Sequence, residues 1–84
     1  SGSIIMHDVI VNANVVIGDN CIINSKVLIE HDSIIHNHCH ISTSATINGN
    51  VEVGEGSFIG SGAVTNNSIV IKKNSFIKAG ALVK

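Results

Sequence analysis

Eighty-four residues suffice for one small domain, and a formal charge of −1 supplies no field to gather nucleic acid or an anionic membrane surface. The chain is 44% hydrophobic yet holds two Phe, no Trp, no Tyr and no Pro; Ile and Val carry its apolar content, which suits strands. No run approaches the roughly 20 apolar residues of a membrane span, no secretory signal pattern is present, and two cysteines are too few for a disulfide scaffold, so a cytoplasmic setting is expected.

Ser1-Gly2-Ser3 reads as a leftover of cloning, leaving residues 4 to 84 as one domain. From Ile5 onward a six-residue period runs through the chain. Steps of six land on Ile5, Val11, Ile17, Ile23, Ile29, Ile35, Ile41, Ile47, Val53, Ile59, Thr65, Ile71, Ile77 and Val83, with Thr65 the one residue that is neither Ile nor Val. Two positions before each stands a residue from a smaller set, including Val9, Cys21, Ser33, Cys39, Ala45 and Ala63. Strand alternation puts both sets on one face, so both are expected to point inward. Three positions after each aliphatic comes the series Asp8, Asn14, Asn20, Lys26, Asp32, His38, Ser44, Asn50, Gly56, Gly62, Ser68, Asn74 and Gly80. Nine of these thirteen are Gly, Asn or Asp, the types that best tolerate left-handed backbone, so each hexad is predicted to be a short strand followed by a corner. A period of 3.6, which a helix would require, is absent.

The pattern resembles the hexapeptide repeat of the left-handed parallel β-helix over residues 4 to 84. That resemblance implies an all-β fold of between four and five triangular coils, three hexads to a coil, with residues 18 apart stacked. It also implies the left-handed winding, an exception to the usual crossover rule. Cys21 and Cys39 then face inward on adjacent coils, close enough for a disulfide; two buried thiols are the expectation in a reducing compartment.

The residues just before the inward aliphatics should point outward, and eleven of these fourteen, from Ile4 to Leu82, are apolar. A lone prism would expose broad hydrophobic faces, so assembly is expected. Proteins of the resembled fold are commonly cyclic trimers, which implies a homotrimer here.

Four of the five histidines fall in IEHDSIIHNHCH, residues 29 to 40. The hexad frame disperses them. His31 lies at one corner, His36 and His38 flank the next, and His40 sits on the outside of the following strand; His7 lies on a corner other than that of His31. Within one chain they diverge and do not share a metal. γ-Class carbonic anhydrases share the fold and use a His-x4-His pair, a spacing found at His31 and His36, but their remaining ligand would fall before residue 1. No metal is expected.

The stretch NSKVLIEHDSIIHNHCHI, residues 24 to 41, resembles the active-site coil of hexapeptide-family sugar acetyltransferases, namely the sialic-acid O-acetyltransferases and the N-acetyltransferases of nucleotide-linked 4-amino sugars. MHDVIVNANVVIGDNCIIN before it and VEVGEGSFIGSGAVT after it are similar to the same group. The resemblance implies acetyl transfer from acetyl-CoA to a sugar amine or hydroxyl, on a nucleotide-sugar or sugar acceptor. It implies His31 as the general base, with Asp32 orienting its ring where the family more often has Glu, and Asn24 helping to hold it. It places a backbone N–H of Gly49, one coil above His31, against the thioester carbonyl, and His40 near the cofactor cleft or the subunit boundary.

Lys72, Lys73, Lys78 and Lys84 crowd a stretch, 57 to 84, that holds no acidic residue. This basic end is a candidate site for the CoA phosphates, with Ala63, Ala79 and Gly80 leaving room for the pantetheine arm. The sugar-binding segment of the resembled family normally precedes its β-helix, so this chain is expected to be part of a longer acetyltransferase and to turn over poorly alone. A purely structural, trimerising segment is the alternative.

Overall fold

The computed structural model describes residues 2–84. Among these described residues fourteen two-residue strands follow one another: β1 Ile4–Ile5, β2 Ile10–Val11, β3 Val16–Ile17, β4 Ile22–Ile23, β5 Leu28–Ile29, β6 Ile34–Ile35, β7 His40–Ile41, β8 Thr46–Ile47, β9 Glu52–Val53, β10 Phe58–Ile59, β11 Val64–Thr65, β12 Val70–Ile71, β13 Phe76–Ile77 and β14 Leu82–Val83. Each is the outward and inward pair of one hexad. Every third strand joins the same sheet, in the orders β1-β4-β7-β10-β13, β14-β11-β8-β5-β2 and β12-β9-β6-β3. We call these the first, second and third sheets. All pairs are parallel and in register at a separation of 18, as in Ile23 with Ile41 and Ile29 with Ile47.

The inward positions close one core down the axis. Ile23, Ile29, Ile35, Ile41, Ile47, Val53 and Ile59 are completely buried, interleaved with the smaller Cys21, Ala45 and Ala63. Burying such a side chain contributes about 1.5–3 kcal/mol, so this stack is the main stabilising element. Ile5 and Val11, also expected inward, are 52% and 40% exposed because the first coil has a neighbour on one side only.

The corners follow one rule. All thirteen residues of the Asp8-to-Gly80 series have positive φ, between 56° and 75°. Six of them are Asn or Asp and three are Gly, types with little or no penalty there; Lys26, His38, Ser44 and Ser68 accept about 1–2 kcal/mol each. A second ladder offsets that cost: the N–H of the left-handed residue donates to a carbonyl 19 residues earlier, as Lys26 to His7 at 3.0 Å and Ser68 to Gly49 at 2.9 Å.

Polar residues in the core are satisfied internally. Ser33 Oγ donates to the Asn48 carbonyl at 2.9 Å and accepts the Val51 N–H at 3.1 Å; Ser57 does the same with Lys72 and Ser75. Among the described residues no buried side-chain polar atom lacks a partner. Cys21 and Cys39 are free thiols whose Sγ atoms donate to the carbonyls of His36 and Gly54, at 3.1 and 3.2 Å. Burial pushes the Cys39 thiol above its ordinary range.

Outside, the sheets are as apolar as their sequence implies. Ile4, Ile10, Val16, Val70, Phe76 and Leu82, all on the end coils, are each more than half exposed, while Ile22 and Ile34 between them are 37% and 36% exposed.

Candidate functional site

The corner between β5 and β6 brings His31 and Asp32 together beneath Gly49 of the coil above. His31 precedes Asp32, whose left-handed φ of 62° closes the turn. His31 Nδ1 lies 3.1 Å from Asp32 Oδ2, with both side chains more than half exposed. An ionised carboxylate can only accept, so Nδ1 carries the hydrogen of this bond, and in the neutral ring the lone pair falls on Nε2. Nε2 is the ring atom nearest the coil above: a Cβ placed on Gly49 would stand 2.6 Å from it and 2.8 Å from Cε1. Only glycine leaves the imidazole where it is. The Gly49 carbonyl accepts from Ser68 at 2.9 Å, while its N–H donates to no group among the described residues. An imidazole oriented through Nδ1 and an uncommitted amide thus share one corner, a combination suited to proton removal beside a developing oxyanion.

Asn24 sits elsewhere. Its Nδ2 is 3.1 Å from His40 Nε2, on the first sheet and the corner that follows it, and it makes no bond to His31 of the same chain. His40 is half-buried, tilted at 52° against Phe58 with centroids 5.0 Å apart; Phe58 in turn stacks on Phe76 at 5.1 Å. Ile22, His40, Phe58 and Phe76, each 18 residues apart, thus form one outer column.

His36 pairs with Glu52 at 2.7 Å on the third sheet and the corner beyond it. His38, on that same corner, has a φ of 61° and donates its N–H to Asp19 at 2.9 Å. The four histidines of residues 29–40 occupy two corners and one face. Among the described residues no three His, Cys, Asp or Glu side chains come together in a way that would hold a metal ion.

The basic residues do not meet His31 within the chain. Lys72 and Lys73 follow β12 on the third-to-first corner, and Lys78, Ala79 and Gly80 follow β13 on the first-to-second corner. Ala63 lies on that last corner too, but its side chain is fully buried, so only its backbone is available outside. A concavity of about 510 Å³ opens beside these residues, lined by Phe76, Lys78, Leu82 and Lys84 among others.

Sequence reasoning marked Thr65 as the break in its series but gave neither it nor Asn48 a role. The Asn48 N–H donates to Thr65 Oγ1 at 3.0 Å and its Nδ2 to the Thr65 carbonyl at 2.7 Å. The available signal was Thr65 itself, the one break in the Ile/Val series.

Residues 32–67 match the family model described as bacterial transferase hexapeptide (six repeats). No curated protein matches the chain in sequence. Among solved structures it is similar to the acetyltransferase domain of PglB from Neisseria gonorrhoeae FA1090, at 22% identity and a TM-score of 0.69 over 94% of this chain and 48% of that one. The same domain in complex with acetyl coenzyme A matches at 23% identity and a TM-score of 0.72 over 93% of this chain. The chain spans about half the length of these structures, 48% and 49%. At such identity the likeness speaks for the fold, a parallel β-helix, and the hexapeptide-repeat match covers residues 32–67 of it.

Proposed function

We propose that this β-helix carries the catalytic corner of an acetyltransferase that uses acetyl-CoA to acetylate an amine or hydroxyl of a sugar or nucleotide-linked sugar. One observation carries the proposal: His31 is held through Nδ1 by Asp32 with Nε2 directed at Gly49. His31 Nε2 takes the proton of the acceptor, whose nitrogen or oxygen attacks the thioester carbonyl. The Gly49 N–H stabilises the oxyanion; the new C–N or C–O bond forms, the C–S bond breaks, and the proton on His31 passes to the departing CoA sulfur. The complex of a similar fold with acetyl coenzyme A supports the choice of donor.

The active assembly in this proposal is a homotrimer in a cytoplasmic setting. The exposed apolar faces support assembly, since soluble monomers seldom expose patches of this kind. Neighbouring prisms would bring the first-to-second corner of one chain, with Lys78, Ala79, Gly80 and the Ala63 backbone, toward His31 of another; Lys72 and Lys73 would meet CoA phosphates from the adjacent corner. Asn24 and His40, already bonded to each other, would flank that boundary as one unit.

The same apolar faces also suit a second reading, a trimerising segment without chemistry. Titration with acetyl-CoA, followed by assay of free CoA thiol in the presence of amino sugars and their nucleotide-linked forms, separates the two. Saturable binding with acceptor-dependent thiol release is expected; a trimer that binds no acetyl-CoA would establish the structural role instead.

A further inference from the structure

The coil ladder is interrupted at one place. Between β8 and β11 only Thr46 and Val64 pair, whereas each of the other strand pairs registers two residues. At the missing rung a side chain has been inserted. In regular corners the N–H after the inward residue donates to the carbonyl 17 residues ahead, as Glu30 to Ile47 and Gly54 to Ile71, both at 2.8 Å. The Asn48 N–H goes instead to Thr65 Oγ1, and the Thr65 carbonyl is taken by Asn48 Nδ2. Neither Ile nor Val offers that oxygen, so Thr65 is the residue that makes the substitution possible.

Asn48 is also gripped from within. Its carbonyl accepts Ser33 Oγ at 2.9 Å, and Ser33 is completely buried. The Asn48 carbonyl and the Gly49 N–H belong to one trans peptide, in which they point in opposite directions. With the carbonyl turned toward the core, the Gly49 N–H faces outward, the side on which the His31 ring lies. The corner at Gly18 behaves the same way: Ser3 Oγ holds the Gly18 carbonyl at 2.8 Å, and the next N–H, of Asp19, reaches the exposed Asn37 Oδ1 at 2.8 Å.

We propose that Ser33, Asn48 and Thr65 are positioning residues that lock the Asn48–Gly49 peptide and so aim the Gly49 N–H at the acyl oxygen. The proposal rests on the acetyl-transfer assignment above. Thr65 acts through Asn48, and Ser33 through the carbonyl it holds; neither touches the substrate.

Thr65→Val and Thr65→Ser, made in the full chain, test this. Val is the residue type of the equivalent positions in other coils, so the fold is expected to persist with an unchanged or raised melting midpoint. Thr65→Val should lower kcat about 10- to 100-fold while KM for acetyl-CoA stays within about twofold, the signature of a misaligned donor. It should also move the Gly49 amide resonance in a 15N–1H spectrum, and Thr65→Ser, which keeps the oxygen, should restore both. A Thr65→Val protein with wild-type kcat and Gly49 resonance would overturn the proposal, as would a Thr65→Ser protein equally impaired. If the wild type transfers no acetyl group, it is the acetyl-transfer assignment that fails. The Gly49 resonance then still decides the positioning claim, since a resonance unmoved in Thr65→Val overturns it.

Discussion

Gly49 is the residue whose smallness has the sharpest consequence. No backbone strain demands glycine there, but a Cβ would stand 2.6 Å from His31 Nε2. Gly49→Ala should therefore leave the melting midpoint within a few degrees while displacing the imidazole. We expect kcat to fall at least about tenfold, because small displacements of a catalytic group cost rate steeply. Wild-type kcat in Gly49→Ala would show that the ring does not need its observed place. That His31, Asp32 and Gly49 share one corner was legible in the sequence, since hexad phase and the 18-residue stack bring them there; the roles proposed for them came from the resemblance alone. Asn24, which the resemblance implied would help hold His31, has another partner within the chain: which of two histidines an amide reaches depends on rotamers that a period does not encode, and here it reaches His40.

At the scale of the hexad, positions are dictated so strongly that the left-handed residue of every corner from Asp8 to Gly80 could be named beforehand. The repeat does this because a strand, a tight corner and a fixed coil height leave six residues no other way to close. What escaped was the consequence of the exception, Thr65, whose oxygen rewires a rung that Ile or Val would leave intact. The small inward positions carry a second consequence, through Cys39. Burial raises this thiol above its ordinary value of 9.0. In alkali the unfolded chain then releases a proton that the folded chain retains. The contribution is complete below the unfolded thiol value and is lost as pH rises through the raised folded one. Stability measured by urea unfolding should fall through this range, and Cys39→Ala should flatten the slope. An identical slope in the variant would mean that this thiol is not the group responsible.

For the whole molecule, the outer faces matter most. Val70 and Phe76 are 71% and 72% exposed, on the third and first sheets, and Ile10 is 57% exposed on the second. The apolar faces were legible because strand alternation assigns each outward residue; the exposure of Ile5 and Val11 was not, because a periodic pattern treats every coil alike. If trimerisation covers these faces, sedimentation should give a species of about three times 8.8 kDa. At least one of Ile10→Asp, Val70→Asp and Phe76→Asp should reduce it to monomer and abolish acetyl transfer, because a charge buried in such a contact is costly. A wild-type chain that sediments as a monomer would remove the shared site on which the assembly proposal depends.

The most direct test of the central claim is acetyl transfer by His31→Ala beside the wild type, at saturating acetyl-CoA and with binding measured separately. Removal of a general base should lower kcat by about 10²–10⁴-fold and leave acetyl-CoA affinity nearly unchanged. Full transfer rate in His31→Ala would contradict the assignment of this imidazole as the base.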